Sequence, residues 1–228
     1  MRRLVYRRAG RTAKRTSLAV LSGALLLSFA TPPWAAEPAG PRSVNGCPIR
    51  PATLCNEFDL QGASLRKADL LQAALTRANL SKADLRQANL RYADLDDASL
   101  RGADLSGAVL DHVQARRADM AKASLREASL VNARLRNADL SSVDARGASF
   151  RGADMSRAVL RDANLAGATL ERANLRGATL TGADLRNADL TGAVLRNADL
   201  QGADLTGAAI EQAIFESAAM EGCRGCPE

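Results

Sequence analysis

A single histidine, His112, serves all 228 residues, and no serine, cysteine or carboxylate constellation can be assembled around it. Triad-type nucleophilic catalysis is thereby removed. A metal centre needs several ligands, which one histidine does not supply, and the glycines recur at fixed places in a repeat instead of forming a phosphate-cradling loop. No cofactor, metal or catalytic residue is assigned, and the chain reads as a non-enzyme. A large excess of charge is missing too. The formal net charge is +6, but seven of the 31 basic residues and none of the 25 acidic ones precede Glu37, leaving 24 against 25. The remainder is neither a basic nucleic-acid binder nor a strongly acidic imitation of a phosphate backbone.

A long hydrophobic run is the third absence. The apolar stretch from Leu18 to Ala30 falls short of the roughly 20 residues a membrane span requires. It follows Arg2, Arg3, Arg7, Arg8, Arg11, Lys14 and Arg15 and leads into Thr31-Pro32-Pro33-Trp34-Ala35-Ala36. Basic, then apolar, then small residues read as a secretory signal peptide over 1–36, cut after Ala36 or after Ala30. The mature protein is expected in the periplasm or outside the cell, with no stable membrane span.

What the chain does have is a repeat. From Leu60 to Met220 every fifth residue is a large apolar side chain or a small substitute, and the residue two before it is almost always alanine. That makes 33 units with no loop between them. Composition rich in Ala, Leu, Arg and Asp suggests helix, but periodicity overrules it. A step of five advances about 500° on an α-helix, so the leucines would scatter around the cylinder. Spaced two apart, Ala63 and Leu65 instead share one face of extended backbone. The residue between them is usually Asp, Asn, Ser or Thr, a turn-favouring type, and the two after the leucine are polar corner positions. Such a unit buries nothing alone, so successive coils must stack. Val113/Ala115 and Val143/Ala145 invert the Ala/Leu order and partly restore volume within the unit, as a close-packed interior favours.

Runs such as Ala183-Asp184-Leu185-Arg186-Asn187 and Ala188-Asp189-Leu190-Thr191-Gly192 resemble the pentapeptide-repeat family, whose pattern is A(D/N)LXX. The resemblance covers about 56–222. It implies an all-β fold, a right-handed quadrilateral parallel β-helix with four pentapeptides per coil, hence about eight coils. The chain divides into a signal peptide (1–36), an N-terminal linker and disulfide cap (37–55), the β-helix (56–222) and a C-terminal CxxC tail (223–228). In such a rod Cys47 and Cys55 lie at one end and Cys223 and Cys226 at the other, too far apart to cross-pair. Local disulfides are expected, each stapling a cap over an open coil end. Phe58, Phe215 and Met220 are placed to plug the ends.

With four units per coil, residues twenty apart stack. Leu71, Tyr92, Val109, His112 and Val131 then share one face, an apolar patch suited to a protein partner. Near the C-terminus Ala209, Ile214 and Ala219 are also outward, and dimerisation of the gyrase-inhibiting branch of the family through its C-terminal end leaves a homodimer open. Asp84, Asp104, Asp144, Asp184 and Asp204 form one row, with Arg66, Arg86, Arg126, Arg146 and Arg186 in a row beside them, read as a surface ion-pair lattice. The leading reading is a non-enzymatic exported scaffold or protein-interaction rod that does not bind nucleic acid. Two alternatives stand beside it: a DNA-mimicking topoisomerase inhibitor or protector, and a thiol-disulfide protein using Cys223-Arg224-Gly225-Cys226.

Overall fold

Each five-residue unit has one backbone N–H that its neighbours in the ladder leave unpaired, and an Asp or Asn in the motif answers it. In the computed structural model, which describes residues 43–227, Leu60 donates to the Asn79 carbonyl (2.7 Å), Gly62 to Ser81 (2.9 Å), Ala63 back to Leu60 (3.1 Å) and Asn79 to Phe58 (2.9 Å). Those four kinds of bond recur along the chain. They omit the residue just after the leucine. Where the residue two earlier is Asp or Asn, this N–H goes instead to that side chain: Gln61 to Asp59 Oδ1 (3.1 Å), Ser106 to Asp104 (3.0 Å), Thr191 to Asp189 (2.9 Å). Asp and Asn are favoured there because a short side-chain oxygen can close this local ring. The position expected to bend the chain is therefore a parallel bridge residue whose side chain braces the adjoining corner.

The bend itself falls on the next two residues. Leu60 to Ala63 closes a four-residue turn, and the third residue of every such turn from 52 to 222 has φ near +60°. A positive φ at that place and not before it is the type II pattern. Many corners carry Lys, Arg, Gln or Asn in this left-handed conformation, each at a steric cost that the flanking ladder bonds must outweigh.

Corner follows corner, and each bridge residue pairs in parallel with the one twenty positions on, from Leu54↔Ala74 to Asp204↔Arg224. The chain winds as a β-helix whose sides are three residues long. The alanine and leucine positions point inward and are buried from Leu60 to Leu205. The inverted units are buried as well: Val113, Ala115, Val143 and Ala145 all lie in the core. Met120 and Phe150, the unit centres after Ala115 and Ala145, bring bulk where the preceding centre is small.

The two ends differ. At the first, β1 (Ser43–Val44) and β2 (Cys47–Pro48) form an antiparallel hairpin around Asn45-Gly46, both at positive φ, as a two-residue hairpin turn of the type I′ kind demands. Val44 and Ile49 pack against the core, Asn45 Nδ2 donates to the Asp59 carbonyl (2.6 Å), and Cys47 is joined to Cys55. Thr53 and Cys55 occupy the alanine and leucine positions of a unit preceding Leu60 and are buried. At the other end Ile210, Phe215 and Met220 remain half-buried, and among the described residues the N–H groups of Gly207, Ile210, Gln212, Phe215 and Ser217 find no backbone acceptor. Cys223–Cys226 closes a tail beside them without covering them. The reading of 1–36 as a signal peptide, and residues 37–42, lie outside the described residues.

Candidate functional site

Stacked corners bring residues twenty apart into columns, and one column runs Gln72, Tyr92, His112, Asn132, Gly152. Tyr92 and His112 share nearly the same φ (56° and 58°), so their side chains leave the backbone in the same direction. Their rings stack 4.9 Å apart and within 4° of parallel, a separation set by the spacing of adjacent strands. Tyr92 is 53% exposed; among the described residues the other exposed large apolar side chains are Leu54 and Ile214. Beside the ledge lies a hollow of about 450 Å³ whose lining includes Gln114, Arg134 and Asp154.

Leu71 and Val131 stand in the neighbouring column on the same corner, but Arg91 and Asp111 come between them, paired at 3.2 Å. Asp111 also accepts from the Val131 N–H (3.2 Å) and the Ser129 hydroxyl (2.5 Å). Val109 lies on the adjoining side, in ladder with Asn89 and Ser129. The five residues thus gather along one corner, with the stacked pair as the contiguous aromatic surface and a charged pair interrupting the aliphatic part. Leu71, Val109, His112 and Val131 are half-buried.

Three pairs from the acidic and basic rows are locked together. Arg86 grips Asp84 through Nε (2.7 Å) and Nη2 (2.5 Å), and Arg146 with Asp144 and Arg186 with Asp184 repeat the fork. In each case the guanidinium's hydrogen bonds hold the carboxyl below the usual carboxylate range and raise the arginine in return. A carboxylate held ionised this way is a poor proton donor near neutral pH, so Asp84, Asp144 and Asp184 act as braces. Among the described residues no group of His, Cys, Asp and Glu is arranged to hold a metal, and no helix is long and apolar enough to cross a membrane.

Cys47 and Cys55 are bonded with Cα atoms 5.6 Å apart, and Cys223 and Cys226 with Cα atoms 5.9 Å apart. Gly225, between the second pair, sits hard against the previous coil. A Cβ there would stand 2.8 Å from the Leu205 carbonyl carbon and 2.9 Å from the Thr206 nitrogen.

The sequence matches the family described as Pentapeptide repeats in eight copies, within 55–91, 83–121, 93–130, 118–157, 153–192 and 188–224. Among solved structures, the chain is similar to HetL, a pentapeptide repeat protein involved in heterocyst differentiation regulation from the cyanobacterium Nostoc sp. strain PCC 7120. Identity there is 31%, over 74% of this chain and 89% of that one, with a TM-score of 0.31. A protein of the Arabidopsis thaliana thylakoid lumen shares 33% identity over 50% of this chain and 66% of its own, TM-score 0.32. QnrB1, a plasmid-mediated fluoroquinolone resistance protein, shares 21% over 77% and 83%, TM-score 0.39. No curated protein sequence matches it. The family profile covers most of the chain, every unit from Cys55 onward obeys its five-residue register, and the protein belongs to the pentapeptide-repeat family.

Proposed function

We propose that the protein is an exported, non-enzymatic interaction rod, built as a right-handed quadrilateral β-helix of about eight coils, that engages a protein partner along the Tyr92 corner. The pairing of residues twenty apart supports four pentapeptides per coil. Export is supported by the order of basic, apolar and small residues over 1–36 and by disulfides at both ends, which persist in oxidising compartments. The observation that carries the partner reading is the Tyr92–His112 stack. An exposed tyrosine held against a second ring has already lost most of its freedom, so little ordering entropy remains for binding to cost. Leu71, Val109 and Val131 extend the contact on either side.

Crosslinking in the envelope fraction followed by mass spectrometry tests this. Wild type and the Tyr92→Ala/His112→Ala variant are compared with a control on another side, Thr179→Ala/Ser99→Ala, two residues of one ladder column. Loss of a defined partner in the first variant only is the expected result. Identical crosslinks in all three would assign the partner to another face.

A second reading concerns self-association. The unpaired N–H row and the half-buried Ile210, Phe215 and Met220 make the C-terminal end a sheet edge of the kind that pairs with another chain. A homodimer through that end predicts that Phe215→Glu yields a monomer in sedimentation. A wild type that is already monomeric at high concentration removes this reading. The near balance of acidic and basic residues weighs against DNA mimicry, and a gyrase supercoiling assay tests that rival directly. The tail's CxxC is read as a staple, with insulin reduction as the test of redox activity.

A further inference from the structure

The corner columns through Asn56 and Glu57 carry an alternating pattern of charge that fails at one place. Along them Arg77 pairs with Glu57 (2.8 Å), Arg116 with Asp96 (2.6 Å), Arg117 with Asp97 (2.6 Å) and Arg196 with Glu216 (3.0 Å), each acid lying twenty residues from its arginine. Arg136, Arg157 and Arg176 have no such partner. The residues twenty away are Arg116 and Ser156 for Arg136, Asn137 and Gly177 for Arg157, and Ser156 and Arg196 for Arg176. Among the described residues none of these three guanidiniums forms an ion pair or a side-chain hydrogen bond, although all three side chains are exposed.

They converge on one groove of about 490 Å³. Ser156, Asn174, Asn197 and Asp154 complete its lining, so three guanidiniums face one carboxylate, a net of +2. Asp154 is already engaged, accepting from Asn174 Nδ2 (3.0 Å) and the Ser156 N–H (3.1 Å). Gly177 keeps the groove floor low: the Arg157 stem lies over it, its Cγ 3.7 Å from where a Cβ would stand. A second groove, lined by Arg66, Arg86, Arg126 and Glu127, differs in kind. There Arg86 is clamped by Asp84, and Arg66 lies close enough to that carboxylate to help hold it ionised.

Three like charges gathered without counter-charge repel one another, whereas every neighbouring arginine of the same columns has been given an acid. A guanidinium presents a planar fork of donors that matches a phosphoryl group, and several around one pocket fix its orientation. From this geometry we propose that the groove of Arg136, Arg157 and Arg176 binds a phosphomonoester, whose charge of nearly −2 at neutral pH balances the lining. Ser156 and Asn197 supply further polar groups at the rim. The groove borders the hollow beside the Tyr92 corner, the two sharing Asp154, but its arginines stand on another corner and the proposal does not depend on the partner assigned there.

The test is titration calorimetry of the full chain with glycerol 3-phosphate, alongside co-sedimentation with phosphatidylcholine vesicles containing phosphatidic acid, which presents the same group on a lipid. Arg136→Gln/Arg157→Gln/Arg176→Gln is compared with Arg66→Gln/Arg86→Gln/Arg126→Gln, a triple that removes equal charge from the second groove. Glutamine already occupies left-handed corners at Gln72, Gln87 and Gln212, so the backbone at 157 tolerates it, and urea midpoints verify folding. We expect the first triple to weaken binding at least tenfold and the second to change it less than twofold. Binding of glycerol 3-phosphate assigns a soluble ligand, and binding of the vesicles alone a lipid headgroup. Equal weakening by both triples, unchanged binding in the first, or no binding of either probe by wild type overturns the proposal.

Discussion

Leu165→Ala isolates what the stacked interior contributes. Leu165 is wholly buried, its N–H donates to the Asp184 carbonyl at 2.7 Å, and the inward residues twenty away are Ala145 and Leu185. Truncation removes three carbons, worth roughly 0.8 kcal/mol each in transfer free energy, or about 2.4 kcal/mol together. A cavity term is added, because ladder bonds on both sides pin the backbone and Ala145 is too short to reach into the space; the total is about 3–5 kcal/mol. Urea unfolding followed by circular dichroism measures it, and an unchanged m-value shows that the mutation altered stability and not the extent of unfolding. The companion is Arg101→Ala. Arg101 is about half exposed and stands 3.7 Å from Asp119, an ion pair in water that contributes less than about 0.5 kcal/mol. Equal losses at the two positions, or a loss under about 1 kcal/mol at Leu165, would refute the division into buried and outward residues.

Acid should destabilise the protein through its forked carboxylates. Their folded pKa values are lowered by Arg86, Arg146 and Arg186, so their stabilisation is fully present above the unfolded carboxylate value of roughly 4 and is lost as pH falls through the lower folded values. Asp84→Asn/Asp144→Asn/Asp184→Asn keeps an oxygen for the corner N–H but removes the charge, and should flatten the fall of the thermal midpoint below about pH 4. Gly202→Ala meets no atom within 4 Å and suffers only from its φ of +68°, costing about 1 kcal/mol. Gly225→Ala would drive a Cβ into the Leu205 backbone and should release the tail to proteolysis while the core midpoint changes little. Peptide mapping without reduction should recover Cys47 joined to Cys55 and Cys223 to Cys226, and Cys47→Ser/Cys55→Ser should lower stability by about 2–3 kcal/mol, as expected for a short closed loop.

Much of the candidate surface was legible because five-residue periodicity is a local property. Tyr92, His112, Leu71 and Val131 could be called outward from their place in the unit alone. Their interruption by Arg91–Asp111 could not, since an ion pair between residues twenty apart depends on which coils touch and on side-chain direction. The hairpin at the first end carried a readable signal in Asn45-Gly46, but its two strands are too short to show a pattern of their own. Thr53 and Cys55 escaped the leucine count because neither is the usual residue, although both fill inward positions.

By itself, the sequence determined which two of every five residues face inward, that no helix could use them, and that the chain had to stack to bury them. The alternation of alanine and leucine about a short polar residue admits one local conformation, and each unit repeats it. Which distant residues become neighbours was decided by the tertiary structure. Every corner looks alike from within its own unit, so the closure of the coil, and with it the twenty-residue pairing, follows from how successive type II turns bring ladder donors and acceptors into register. That register sets Tyr92 on His112 and gives Arg116 and Arg117 their acids. It also leaves Arg136, Arg157 and Arg176 together around a groove with a single carboxylate already engaged elsewhere.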